Sequence, residues 1–146
     1  MARFIFIIAM TLFVSTSFAQ LRDIPKEVTD NFGAQYPTAE KVEFKDNLVN
    51  VQVNFVLDGE VMQATYSNKG VWKNTEKEWN YDQLSDEIKS GFEKSKYAEW
   101  KVVETKIVYQ PGGTEIYRIK AEKNDVNKRN LFFNKSGRLM DDDITL

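Results

Sequence analysis

The 146-residue chain contains no cysteine and no histidine. Without cysteine it can form no disulfide and carries no cysteine for lipid attachment. Without either residue it can build no serine–histidine triad, no cysteine nucleophile and no zinc site on His or Cys ligands. Carboxylates, Lys, Tyr and Ser are the reactive groups that remain. The formal charge is −2, with no basic stripe, which argues against a nucleic-acid partner. With only three prolines and seven glycines, each one punctuates the chain informatively.

Long apolar runs are missing except at the start. Arg3 is followed by an apolar run from Phe4 to Val14, broken only by Thr11, and then by Ser17-Phe18-Ala19. This order predicts a secretory signal over 1–19, cleaved before Gln20. The run is short for a bilayer anchor, so no membrane attachment is expected after cleavage. Losing Arg3 with the signal would move the charge from −2 to −3. The expected address is the periplasm, with secretion as the second choice. A mature chain of this size can bury roughly two-thirds of its unfolded surface, enough to fold without disulfides.

The clearest local pattern is a hairpin from Leu48 to Ser67. Val49, Val51, Val53, Phe55 and Leu57 alternate with Asn50, Gln52 and Asn54, the period of a strand with one buried face. Asp58-Gly59 is the pair a two-residue type I′ turn prefers. It sets Leu57 opposite Glu60, Phe55 opposite Met62, Val53 opposite Ala64 and Val51 opposite Tyr66.

Upstream, Ile24, Val28 and Phe32 recur every four residues and predict a helix, with Asp23 as its cap and Pro37 as its stop. A strand is expected over Lys41–Lys45. A two-residue turn at Asp46-Asn47 would set Phe44 against Val49 and Val42 against Val51. Downstream, Ser67–Gly70 predicts a hairpin loop that places Trp72 opposite Tyr66. Thr75–Asn80 is polar apart from Trp79 and reads as a linker.

The pattern then recurs. Leu84, Ile88 and Phe92 repeat the spacing of Ile24, Val28 and Phe32, and Asn134–Gly137 echoes Ser67–Gly70. Tyr117, Ile119 and Ala121 take the places of Val51, Val53 and Phe55. Phe133 and Leu139 take those of Tyr66 and Trp72. The fold expected is α+β: two tandem helix-plus-four-strand units, over 20–80 and 81–146, forming antiparallel sheet with helices on one face as one compact domain.

The signal, Ile24-Pro25-x-x-Val28-x-x-x-Phe32-x-x-x-Tyr36-Pro37, Ala64-x-Tyr66, Gly70-x-Trp72 and the diverged second copy together resemble the β-lactamase-inhibitor-like, PepSY-like family of small exported bacterial proteins. Ser85 stands where Pro25 would recur, and Leu139 where Trp72 would. The resemblance implies a helix-backed antiparallel sheet and a binding or inhibitory role. It implies no catalytic residues and no cofactor.

If helices cover one face, the other carries Asn50, Gln52, Asn54, Gln63 and Thr65 from the first copy. From the second it carries Ile116, Arg118, Lys120 and Phe132, with Asn130 nearby. This is the first candidate binding surface, for an envelope protein or a peptide. An ordinary solvated face is the plain alternative.

Gln110–Thr114 is expected to be a longer loop, with Pro111, Gly112 and Gly113 beside Tyr109 as a possible aromatic anchor. Tyr66, Trp72 and Tyr117 fall on core positions, while Trp79 and Tyr81 are placed to fasten the two copies together. Asp141-Asp142-Asp143 lacks the ligand spacing of a calcium loop and, on a strand, would point to both faces, so no metal is assigned. Ligand capture between the copies is a second functional reading. Hydrolysis by a carboxylate pair is a distant third, since some pair among 22 acidic residues would qualify by chance.

Overall fold

The computed structural model describes residues 23–144; the expected signal at 1–19 lies outside them. The elements run α1 (Lys26–Gln35), β1 (Glu40–Asp46), β2 (Asn50–Leu57), β3 (Glu60–Ser67), β4 (Trp72–Glu78), α2 (Asp86–Glu93), β5 (Lys101–Gln110), β6 (Thr114–Asn124), β7 (Asn127–Phe133) and β8 (Leu139–Ile144). The strands form one eight-stranded antiparallel sheet in chain order. Pairing of β4 with β5, from Thr75 opposite Tyr109 to Glu78 opposite Lys106, joins the two halves of the sheet.

The β2–β3 register is the one the sequence predicts, with Phe55 opposite Met62, Val53 opposite Ala64 and Val51 opposite Tyr66. Asp58 and Gly59 both have positive φ, at 51° and 81°, as a type I′ turn requires. Tyr66 pairs with Trp72, and Phe133 with Leu139.

Both helices cover the same face. Val28 and Phe32 of α1 are buried against Val51, Val53, Phe55, Ala64 and Tyr66. Leu84, with Ile88 and Phe92 of α2, is buried against Ile119, Ala121, Leu131 and Phe133. Alternation along the paired strands puts all these sheet residues on one side. Polar side chains around the first of these clusters are tied together. The Tyr66 hydroxyl donates to Gln35 Oε1 at 2.8 Å. Trp72 Nε1 donates to Thr75 Oγ1 at 2.9 Å, and the Tyr36 hydroxyl lies 2.6 Å from the same oxygen.

Each helix also seats on a hairpin turn. Asn31 Nδ2 of α1 donates to the Gly70 carbonyl at 2.9 Å. The Gly137 turn lies against Glu87 and Gly91 of α2.

Five expectations are corrected. The β1–β2 connection is not a two-residue turn at Asp46-Asn47: Asp46 pairs with Val51 and Phe44 with Val53. The loop instead takes in Leu48, whose φ is 66°, and leaves Val49 79% exposed. A bulge at Lys41 (φ 51°) breaks the β1 register, and Val42 lies outside the core. The α1 N-terminus is formed at Pro25 without a side-chain cap, whereas Ser85 Oγ accepts from Ile88 N–H at the start of α2. Thr75–Glu78 is strand rather than linker, and Gln110–Thr114 is a tight turn whose ends pair with each other.

Candidate functional site

The face opposite the helices is built by the other half of each alternation. Asn50, Gln52 and Asn54 of β2 and Gln63 and Thr65 of β3 lie on it, as do Ile116, Arg118 and Lys120 of β6 and Phe132 of β7. The structure therefore brings all nine sequence-predicted face residues onto one surface. Each is half-buried, Ile116 and Phe132 included, although neither helix covers them. Neighbouring side chains do the shielding: Gln63 Nε2 donates to Asn54 Oδ1 at 2.8 Å.

Four residues at the centre of this face were not assigned from sequence: Glu76 of β4 and Glu104, Lys106 and Val108 of β5. Arg118 Nη1 binds Glu76 Oε1 at 2.9 Å and Nη2 binds Glu104 Oε2 at 3.2 Å. Lys106 Nζ lies 3.5 Å from a carboxylate oxygen of each. The two cations and two carboxylates make a closed, neutral square joining three strands. Arg118 is thus the hub of an internal network rather than a free cation awaiting a ligand. Between Glu76 and Ile116, Val108 is only 4% exposed. The signal for these residues lay in the alternation of Glu104 and Lys106, but it became legible only once β4 was known to be a strand.

The loop residues are arranged otherwise. Pro111, Gly112 and Gly113 form a tight exposed turn, with left-handed φ of 80° and 73° at the two glycines. Tyr109 sits within β5, opposite Thr75 and Glu115, on the helix-bearing side. The tyrosine and the turn do not form one protruding anchor.

Where β4 ends and β5 begins there is an open depression of about 600 Å³, lined by Glu60, Glu78, Trp79, Tyr81, Glu104 and Thr105 among others. Trp79 N–H donates to the Thr105 carbonyl at 2.9 Å, and both Trp79 and Tyr81 pack on the second core cluster. Lys77 forms an ion pair with Glu60 and lies 4.6 Å from the centre of the Trp79 ring. The Thr105 hydroxyl is buried with no hydrogen-bond partner among the described residues.

The acidic run is divided between faces. Asp141 and Asp143 pair with Phe132 and Asn130 on the open side. Asp142, on the helix side, accepts from the Tyr97 hydroxyl at 2.8 Å and is paired with Lys96 and Arg129. The Tyr97 hydrogen bond, followed by Lys96, holds its carboxyl below the usual carboxylate range. Among the described residues no group of three or more His, Cys, Asp or Glu is placed to hold a metal ion. Among them, too, no helix is long and apolar enough to cross a membrane.

No protein-family model matches the sequence, and no curated protein matches it. Solved structures do. A BLIP-like protein of Bacteroides fragilis superposes with a TM-score of 0.74 at 20% identity, over 86% of this chain and 89% of that one. A DUF2874 family protein of Bacteroides ovatus gives 0.73 at 25% identity, over 84% and 89%. A protein of Bacteroides eggerthii, described as a candidate periplasmic protein, gives 0.71 at 19%, over 84% and 90%. The β-lactamase-inhibitor-like resemblance carried by the Ile24–Pro37 and Ala64–Trp72 motifs is matched in three dimensions: the chain has the BLIP-like fold, shared with DUF2874 proteins.

Proposed function

We propose that this is an exported, non-enzymatic binding protein that recognises an envelope protein or peptide through the open face of its sheet. One observation carries the reading: the face is uncovered yet internally fixed. Gln63 bonds Asn54, the four central charges close on themselves through Arg118, and Ile116 and Phe132 offer apolar contact beside them. A surface organised before contact loses little entropy on binding. The residues at 1–19 support export, as does the periplasmic description of the B. eggerthii structure.

We also read the two halves as tandem copies of a PepSY-like unit. Support comes from the repeated order of one helix and four strands, and from the equivalent seating of α1 on Gly70 and of α2 on Gly137.

The test is partner recovery from a periplasmic extract. Phe132→Ala and Ile116→Ala remove the apolar contacts of the face without adding a charge beside Arg118, which Phe132 faces across the β6–β7 pair. Both are expected to abolish recovery while the protein still folds and unfolds in one cooperative transition. Undiminished recovery with both variants would sink the sheet-face reading. A stable complex should bury on the order of 1,600 Å². The depression at the β4–β5 junction supports a second reading, capture of a small ligand between the halves. Its signature would be a thermal shift with a metabolite pool that Trp79→Ala removes.

A further inference from the structure

A second concavity, of about 310 Å³, opens between the α2–β5 connection and the tip of the β6–β7 hairpin. Its lining combines two chemistries. Lys123, Lys128 and Arg129 supply positive charge, and among the described residues no carboxylate lines it. Tyr97 and Trp100, packed edge to face with ring centres 5.0 Å apart, supply an aromatic wall, extended by the exposed side chains of Val126 and Ile144.

The charge of the lining itself is of one sign. Glu122 is shared between Lys101 and Lys128, and Asp142 between Lys96 and Arg129. Lys123 makes no ion pair among the described residues. Four cations therefore share two carboxylates, and of the three cations that line the cleft, Lys123 is left without a partner among the described residues. Lys123 is the extra residue of a bulge between Glu122 and Asn124, a device that takes a side chain out of the strand's alternation. An all-cationic lining is notable in a chain of net charge −2.

We infer that this cleft binds an oxyanion carried on an apolar or aromatic body. The anionic group would meet Lys123 and Arg129, whose charge-assisted bonds are the strong ones, and the apolar body would lie against Trp100. A free aromatic acid and a peptide C-terminus ending in an aromatic residue present the same chemistry. The site lies on the helix side of the sheet end, so it is separate from the open face.

The experiment is an amide chemical-shift titration of the purified protein. The probes are phenylbutyrate, phenylbutyramide, acetate, and a short peptide ending in phenylalanine with its terminus either free or amidated. The acid probes are expected to saturate shifts around Trp100, Lys123 and Arg129, and the amides to bind at least about tenfold more weakly. Lys123→Glu should weaken acid binding by about tenfold or more without moving the melting temperature, because Lys123 holds no structural ion pair. Tighter binding of the free-terminus peptide than of phenylbutyrate would assign the source to peptide ends, and the reverse to small acids. The proposal is overturned if no acid probe saturates those shifts, or if acids and amides bind alike. It is also overturned if acetate equals phenylbutyrate, or if Lys123→Glu changes nothing.

Discussion

Gly137 lies directly against the backbone of Glu87: a Cβ on the glycine would stand 1.9 Å from the Glu87 carbonyl oxygen. The opposing atom is helix backbone and cannot rotate away. Gly137 also has φ of 75°, which disfavours any side chain. Gly59 has a similar φ of 81° but nothing within 4 Å of where its Cβ would be. The pair separates conformational cost from packing cost. Gly59→Ala should cost about 1 kcal/mol, and Gly137→Ala about 3 kcal/mol or more, because α2 must lift from the β7–β8 turn. Urea denaturation of both variants measures the difference; equal losses would mean that the helix is not clamped there.

The square formed by Arg118, Glu76, Glu104 and Lys106 makes a different prediction. Arg118→Met removes the hub and leaves two half-shielded carboxylates facing Lys106 alone. Breaking such a network on one side should cost about 2–3 kcal/mol, discounted for the partial exposure of Glu104. Replacing all four together, Arg118 and Lys106 by Met and Glu76 and Glu104 by Gln, should recover most of that loss, because no charge is then left without a partner. Thermal melts of the single and quadruple variants decide it. This is also why Phe132 and Ile116 are cleaner probes of binding than Arg118.

These two sites show what the sequence could and could not convey. The Asp58-Gly59 turn and the alternation on either side of it specify a register, because a one-residue slip would expose the whole apolar face. The spacing of Leu84, Ile88 and Phe92 specifies a helix in the same way. From those elements the open face follows, and with it all nine of its residues assigned from sequence. The centre of that face was not legible because Glu76 sits in a stretch without apolar alternation. That stretch is a strand only because partners on both sides supply its hydrogen bonds, and Arg118 and Lys106 answer its charge. The first connection was misjudged for a related reason. Asn47, Leu48 and Val49 look like turn then strand, but Leu48 takes φ of 66° and Val49 is left in solvent. Tertiary pairing overrode local pattern in both places.

The Asp142 carboxyl is held below its ordinary range, first by the Tyr97 hydroxyl and then by Lys96. A depressed folded-state value means stability present above the unfolded value and lost as pH falls through the folded one. The parent should therefore lose stability on acidification below about pH 4. Asp142→Asn should be less stable at neutral pH and show a smaller acid loss. Melting temperatures across an acid series would show this; identical acid slopes would exclude a role for Asp142.

Tyr117 carries the opposite dependence. Burial first, and its bond to Glu115 second, push its phenol from 10.0 up to about 12. A raised value means stability that is complete below the unfolded value and lost as pH rises towards the folded one. The protein should thus weaken between about pH 10 and 12. Glu115→Gln removes the neighbouring negative charge and should lower the Tyr117 value without returning it to 10.0, since burial remains. A ring-resonance titration of Tyr117 measures this directly; an unchanged midpoint would contradict the stated cause.

Thr75 offers the sharpest test of the first core. It is 1% exposed, and its one hydroxyl receives the Trp72 indole N–H while meeting the Tyr36 hydroxyl. Thr75→Val keeps the shape and removes the oxygen, so a buried indole N–H loses its acceptor. The expected cost is about 2 kcal/mol, against about 1 kcal/mol for Thr75→Ser, which loses a methyl but keeps the bonds. Burial raises the Tyr36 phenol and its bond to Thr75 partly offsets that rise. Thr75→Val should therefore raise the Tyr36 value further, while Thr75→Ser leaves it near that of the parent. Measuring stability and the Tyr36 titration together separates a lost hydrogen bond from a simple packing defect, because a defect alone would admit water and lower the value.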